Sequence, residues 1–174
     1  MILGMSTATF TLLHVLLSLV GIGSGLLVLY GMIRGKRFDG ATALFLVTTA
    51  LTSLTGFLFP FERVLPSHIL GVISLAALVV AFMARYGRNL AGPWRSIYAV
   101  CAVLALYLNV FVLVAQIFLK VPAAHALAPT GKEPPFLVVQ LIVMAIFIVL
   151  GIFAVKKFRI DAGTKLEWRN SRAS

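Results

Sequence analysis

The sequence predicts an all-α fold, an integral membrane bundle of five transmembrane helices with the N-terminus outside and the C-terminus cytoplasmic. Composition is the first reason. Of 174 residues, 61% are hydrophobic and 11% charged, with a mean hydropathy of +1.06; soluble domains carry about 25% charged residues. A water-soluble core of this length could not hide so much apolar surface. The second reason is that the apolar residues form five continuous runs, each able to cross about 30 Å of hydrocarbon at about 1.5 Å per residue. The third is that Lys and Arg crowd into alternate gaps between those runs.

The first run covers residues 10–33. It follows MILGMSTATF, which lacks the positive region that opens a secretory signal. The second, 41–59, carries the hydroxyl-rich stretch TTALTSLTG and ends at Pro60. Hydroxyls in lipid back-bond to a carbonyl one turn earlier or bridge to another helix. The third run, 64–84, has Pro66 near its start, and the fourth is 96–119. The fifth, 136–155, follows the Pro-rich loop KVPAAHALAPTGKEPP. A loop this long is expected to be functional, and its apolar residues are expected to fold over the polar groups nearby. Membrane strands would show short alternating segments instead. The chain is read as one transmembrane domain, 1–157, with a basic cytoplasmic tail, 158–174.

The charges set the orientation. Arg34, Lys36 and Arg37 fill the first gap, Arg85, Arg88 and Arg95 the third, and six more basic residues follow the fifth run, from Lys156 onward. Those places hold twelve of the 15 Lys and Arg residues; the second and fourth gaps hold Arg63, Lys120 and Lys132. The positive-inside rule then puts the N-terminus outside. The net charge of +10 is thus a topology signal and not a nucleic-acid footprint. Cys101 is the single cysteine, which excludes an internal disulfide and a cysteine metal site.

Helical spacing sorts the polar residues into faces. His14, Ser18, Gly21 and Gly25 recur at steps of four, three and four, so they share one face. The Gly21–Gly25 pair lets a helix or a flat ligand approach closely. His68 and Gly71 share a face of the third run. Tyr98, Ala102, Ala105, Asn109, Val112 and Gln116 share a face of the fourth, which is assigned to the interior. Gln140, Met144, Phe147 and Gly151 line the fifth. His14, His68 and Gln140 each lie four residues into a run, roughly 6 Å below the outer boundary, with Gln116 at similar depth. The polar groups therefore cluster in the outer half, and the inner half reads as almost purely apolar.

Intramembrane polar residues face one another or a cavity, so the cluster is read as a cofactor site. Two histidines at one depth, His14 and His68, are candidate metal ligands for both axial positions of haem b. Gly21, Gly25 and Gly71 would make room for the macrocycle, and Ser18, Asn109, Gln116 and Gln140 would position it. The alternative cofactor is a quinone, whose carbonyls want donors in an apolar slot. Either implies electron transport. Two other readings stand beside these. One is a non-catalytic subunit or assembly partner of a larger membrane complex, such as a respiratory complex. The other is a transporter-like protein for lipid or a small molecule, although no Asp, Glu, Lys or Arg falls within a run to act as a relay. Lipid contact is expected throughout, and the small-residue faces point to a homo-oligomer. Nucleotide, zinc and hydrolase motifs are absent.

The segment YLNVFVLVAQIFLKVPAAHALAPTGKEPPF resembles a group of small, uncharacterised bacterial inner-membrane proteins. The likeness is clearest over 104–140 and extends more loosely to GFLFPFERVLPSHILG. It implies a bacterial cytoplasmic-membrane location and carries over no activity or functional residue.

Overall fold

In the computed structural model, which describes residues 2, 4–59 and 66–158, the chain is helical and no strand forms among those residues. Glu62, Arg63 and the basic tail from residue 159 onward lie outside them. In chain order the helices are α1 (Thr7–Ile33), α2 (Asp39–Gly56), α3 (Pro66–Phe82), α4 (Trp94–Lys120), α5 (Pro122–His125) and α6 (Pro134–Lys157). Met83–Gly87 continues α3 as a π-helical turn.

Four helical stretches are long and apolar enough to cross a membrane: Thr7–Ile33, His68–Gly87, Trp94–Lys120 and Pro134–Lys157. The second run of the sequence corresponds to α2, whose 18 residues give it about 27 Å of length but whose five threonines, one serine and Asp39 dilute its apolar character. It nevertheless reaches from one end of the bundle to the other. Its first residue, Asp39, meets Arg85 at the end of α3, and Thr55 near its last turn meets His14 near the start of α1.

Local chemistry accounts for the helix ends. The Ser6 hydroxyl accepts from the Thr9 N–H at 3.1 Å and caps α1. Pro122 follows α4 directly, and the residue before a proline is pushed out of the α region; Val121 is extended. Pro134 and Pro135 open α6, where no intrahelical N–H bond is needed. The connection before them is not structureless, because it contains α5 and turns that bury Ala128. The Glu133 carboxylate accepts from Thr130 Oγ1 at 2.8 Å and from the Thr130 and Lys132 N–H groups. Desolvation raises the Glu133 carboxyl, but the Thr130 hydroxyl and the backbone donors outweigh it and hold it at about 2, down from 4.5. That contribution is complete above pH 4.5 and is lost as the pH falls through about 2. Glu133→Gln is therefore expected to lower the melting temperature at pH 7, and its deficit relative to wild type should shrink steadily in melts run from pH 4.5 toward pH 2.

Polarity is distributed inside out. Ser24, Thr42, Thr48, Thr49, Thr52, Ser74, Arg85 and Gln140 are buried, whereas long rows of Leu, Val and Ile are exposed on α1, α3 and α6. Only Gln140, Phe147 and Ala154 of α6 are buried. Hydroxyls are satisfied locally, as in Ser24 and Thr48, which donate to carbonyls four residues back at 2.6 and 2.7 Å. The interior of the Tyr98–Gln116 face is as its spacing predicts, with Tyr98, Ala102 and Ala105 all at most 1% exposed.

Two expectations are corrected at the end of the bundle opposite His14. Arg85 belongs to a helix rather than a gap: it sits in the π-helical turn, 6% exposed, inside a stretch apolar enough to span. It donates to the Asp39 carboxylate, and its guanidinium lies 5.9 Å from the Tyr98 ring centre. That half of the bundle is thus not purely apolar. The turn leads into Asn89 and Leu90 at φ 50° and 57°, a left-handed conformation rare for side chains with a Cβ. Burial of the Leu90 side chain at 4% exposure holds it there.

Candidate functional site

At the other end, α1 to α4 enclose a cavity of about 530 Å³, within the usual range for small-molecule sites. Its wall is built from the first turns of α1 and α3 and the last turns of α2 and α4. That is the depth at which the sequence places the polar cluster. His14, Ser18, His68, Gly71, Asn109 and Gln116 all line it. Leu, Val, Ile and Phe side chains make up the rest of the wall, apart from a few hydroxyls and Lys120.

His14 is held by its neighbours. Nδ1 lies 2.9 Å from Thr55 Oγ1, and the ring stands edge-on to Phe59 with centres 5.2 Å apart. The Thr55 hydroxyl already donates its one proton to the carbonyls of Leu51 at 2.7 Å and Thr52 at 3.2 Å. With that proton committed there, the hydroxyl meets His14 with a lone pair, the arrangement in which Nδ1 carries the ring proton and Nε2 is the acceptor. A histidine fixed in this way suits a hydrogen-bond donor or a metal equally. His68 packs on Phe57, ring centres 5.6 Å apart. The notch at Gly71 is filled by the same Phe57 ring, 3.0 Å from where a Cβ would stand.

Asn109 donates through Nδ2 to Thr49 Oγ1 at 3.2 Å, tying α4 to α2 beside the cavity. Ser53 donates to Ser74 at 3.1 Å and ties α2 to α3. Thr52 is 7% exposed, lines the cavity, and its hydroxyl meets no partner among the described residues. Gln116 and Lys120, one turn apart on α4, are exposed where the cavity opens.

Three of the residues singled out by sequence lie elsewhere. Gly21 and Gly25 do not line the cavity. A Cβ on Gly21 would stand 3.2 Å from the Thr48 and Thr49 hydroxyls, and one on Gly25 2.7 Å from Leu106 and 2.8 Å from Phe45. Their space is taken by α2 and α4, leaving none for a macrocycle or for a second copy of the chain. Gln140 faces the other side of α4, where Nε2 donates to the Phe111 carbonyl at 3.1 Å and seats α6. His125, the last residue of the short helix α5, is exposed, with Nδ1 3.2 Å from the Phe118 carbonyl. Of the connection between α4 and α6, only Val121 lines the cavity among the described residues, so the expected fold of this loop over the polar groups is not seen. Among the described residues no group of three His, Cys, Asp or Glu side chains could hold a metal.

Sequence reading missed Lys120, Thr52, Ser53, Thr55, Ser74, Phe57 and Phe59. The threonines and serines of α2 are legible in TTALTSLTG as a hydroxyl-rich stretch, but the helices they meet are not.

Fold and cavity together define a multi-pass helical membrane protein with a mixed apolar and polar chamber at one end. The chain matches no family model, no curated protein and no solved structure. The resemblance over 104–140 thus rests on the sequence alone, and the chamber carries the functional reading.

Proposed function

We propose that this protein binds a quinone-class ligand in its four-helix chamber. One observation carries the reading: a cavity of about 530 Å³, mainly apolar, whose wall gathers His14, Ser18, Asn109, Gln116 and Lys120. A quinone presents a flat ring with oxygens on opposite edges and an apolar tail. The wall offers polar groups on α1 and α4 for the edges and exposed apolar surface for the tail. Haem b is the second reading, favoured by the presence of both His14 and His68 in the wall. It ranks below the quinone because the three glycines meant to admit a macrocycle accommodate Phe57, Phe45 and the α2 hydroxyls instead.

On this reading all five long helices cross the membrane, with the chamber in the outer leaflet and the N-terminus outside. The support is that α2 spans the bundle end to end, and that Arg34, Lys36, Arg37, Arg85, Arg88, Lys156 and Lys157 all belong to the opposite end from the chamber. The setting would be a bacterial cytoplasmic membrane, as the 104–140 resemblance implies. Electron transport, with a respiratory complex as partner, is the role that follows.

The test uses purified full-length protein in lipid nanodiscs. Decylubiquinone is expected to bind saturably at one site per chain. His14→Phe keeps the ring volume and removes the polar contact, and should weaken binding of decylubiquinol, the form with a hydroxyl proton to donate to the imidazole, about tenfold, the cost of about 1.4 kcal/mol for one lost hydrogen bond. The optical spectrum should show no Soret band. A Soret band that disappears in both His14→Ala and His68→Ala would replace the quinone with haem, and the absence of both ligands would overturn the reading.

A further inference from the structure

We infer that the chamber selects the reduced form of its ligand, a hydroquinone with two hydroxyls, over the oxidised dicarbonyl. The inference rests on the quinone reading above and adds to it which redox state the wall is built to hold.

The argument is a count of protons. A hydroxyl has one proton, and around His14 those protons are spent on the protein itself; the exceptions are Thr52, whose hydroxyl has no partner among the described residues, and Ser74, which accepts from Ser53. Thr11 donates to the Thr7 carbonyl at 2.8 Å, Ser18 to the His14 carbonyl at 2.8 Å, and Ser53 to Ser74 at 3.1 Å. Such back-bonding is the usual fate of Ser and Thr in an apolar helix. His14 spends its Nδ1 proton on Thr55, whose own proton is committed to the helix behind it. Nε2 has no protein partner among the described residues, yet it is not sealed off from accessible space. What these groups turn toward the chamber is lone pairs.

The long-reaching free donors of the wall lie on α4. Gln116 and Lys120 project from the last turns of α4, and Lys120 carries no ion pair among the described residues. A ligand between α1 and α4 therefore needs a donor toward His14 and an acceptor toward Lys120. A hydroquinone hydroxyl is both donor and acceptor, so it satisfies either wall. A quinone carbonyl is only an acceptor: it suits Lys120 but sets lone pair against lone pair at His14. Leaving a buried acceptor without its donor is the kind of mismatch that discriminates ligands most strongly.

Thr55 is accordingly a positioning residue. It touches no ligand and acts by fixing which nitrogen of His14 bears the proton. Preferential binding of the reduced form also has a redox signature. For a two-electron couple, each tenfold preference raises the midpoint potential of the bound ligand by about 30 mV.

The experiment measures the affinities of decylubiquinol and decylubiquinone, anaerobically, for the full chain in nanodiscs. Wild type is expected to bind the quinol at least tenfold more tightly. In Thr55→Val the imidazole is free to carry its proton on Nε2 and meet a carbonyl, so the ratio should fall to about one while both forms still bind. Thr55→Ser restores the acceptor and should restore the ratio. Nitrogen-15 spectra of unliganded, histidine-labelled protein should show His14 protonated at Nδ1. Equal or tighter quinone binding by wild type would overturn the inference and leave the quinone reading standing. An unchanged ratio in a folded Thr55→Val, or a His14 protonated at Nε2, would overturn it as well. Failure of wild type to bind either form would remove both claims.

Discussion

Asp39→Ala is expected to destabilise the protein by about 3 kcal/mol, the low end of the range for stripping the partner from a buried charge. The Arg85 side chain is 5% exposed and that of Asp39 is 72% exposed. The two ends of this ion pair therefore respond differently to deletion. Removing Asp39 leaves a guanidinium enclosed by the π-helical turn, Tyr98 and the start of α2, with no other ion-pair partner among the described residues. It also removes the one acidic residue from the first turn of α2, where the helix dipole favours negative charge by about 0.3–1 kcal/mol. Removing Arg85 instead leaves a carboxylate that water can reach, and Arg85→Met fills most of the vacated volume. That variant should cost about 1 kcal/mol or less. Arg37, 3.6 Å from Asp39 and 41% exposed, contributes at most about 1 kcal/mol and does not rescue either case. The check is thermal unfolding in detergent, followed by thiol reactivity at Cys101, the single cysteine, half-buried on α4. Equal losses for the two variants would show that Arg85 is better solvated than its burial implies.

Arg85 also marks the limit of what could be read from sequence. The stretch ARYGRN carries two arginines and a glycine just after an apolar run, so its charge density reads as a gap. The π-helical turn adds a residue to the turn, keeps the backbone helical past Phe82 and swings Arg85 inward. No periodicity count registers a change of helix type lasting one turn. The faces of regular helices were legible for the opposite reason. Tyr98, Ala102, Ala105, Asn109, Val112 and Gln116 obey a 3.6-residue repeat, and the structure turns that face to the interior and the chamber. Depth was legible too, because counting residues from a helix end measures distance along the axis. His14, His68 and Gln116 accordingly meet at one level.

Azimuth between helices was not legible. Gln140 has the right depth and yet lies on the far side of α4, bonded to Phe111. Thr55 has no distinguishing mark in TTALTSLTG, and it fixes His14 from 41 positions away. Rotation of one helix about its own axis against another depends on which side chains fill which hollows. That information is spread over Phe45, Phe57, Leu106 and their neighbours, and no single motif holds it. The same residues explain why the glycine face was assigned to a ligand. Small residues on a helix announce a close approach but do not say by what.

A graded series on α1 makes that approach measurable. Gly21, Gly23 and Gly25 lie within two turns of one helix, so replacement by Ala offers each the same gain in helix propensity, about 1 kcal/mol. They differ only in what the new methyl meets. At Gly23 nothing stands within 4 Å, and Gly23→Ala should be neutral or stabilising by up to about 1 kcal/mol. At Gly21 the Thr48 and Thr49 hydroxyls stand at 3.2 Å. Both threonines are buried, and the helices must give by a few tenths of an ångström, so gain and loss nearly cancel. At Gly25 the methyl would stand 2.7 Å from Leu106 Cδ1 and 2.8 and 2.9 Å from the Phe45 ring. Phe45 and Leu106 are each 1% exposed, so neither has space to retreat into. Gly25→Ala should lose about 1–2 kcal/mol net, and Gly25→Leu should lose at least about 3 kcal/mol by forcing α1 off α2 and α4. The order of melting temperatures, Gly23→Ala above Gly21→Ala above Gly25→Ala above Gly25→Leu, is the observable. Because Gly25 lies some seven residues from Ser18, roughly 10 Å along the axis, Gly25→Ala should leave quinone affinity within about twofold of wild type if the protein remains folded. A Gly25→Ala variant that keeps its stability but loses the ligand would instead put the flat ring against the glycines, where the haem reading first placed it.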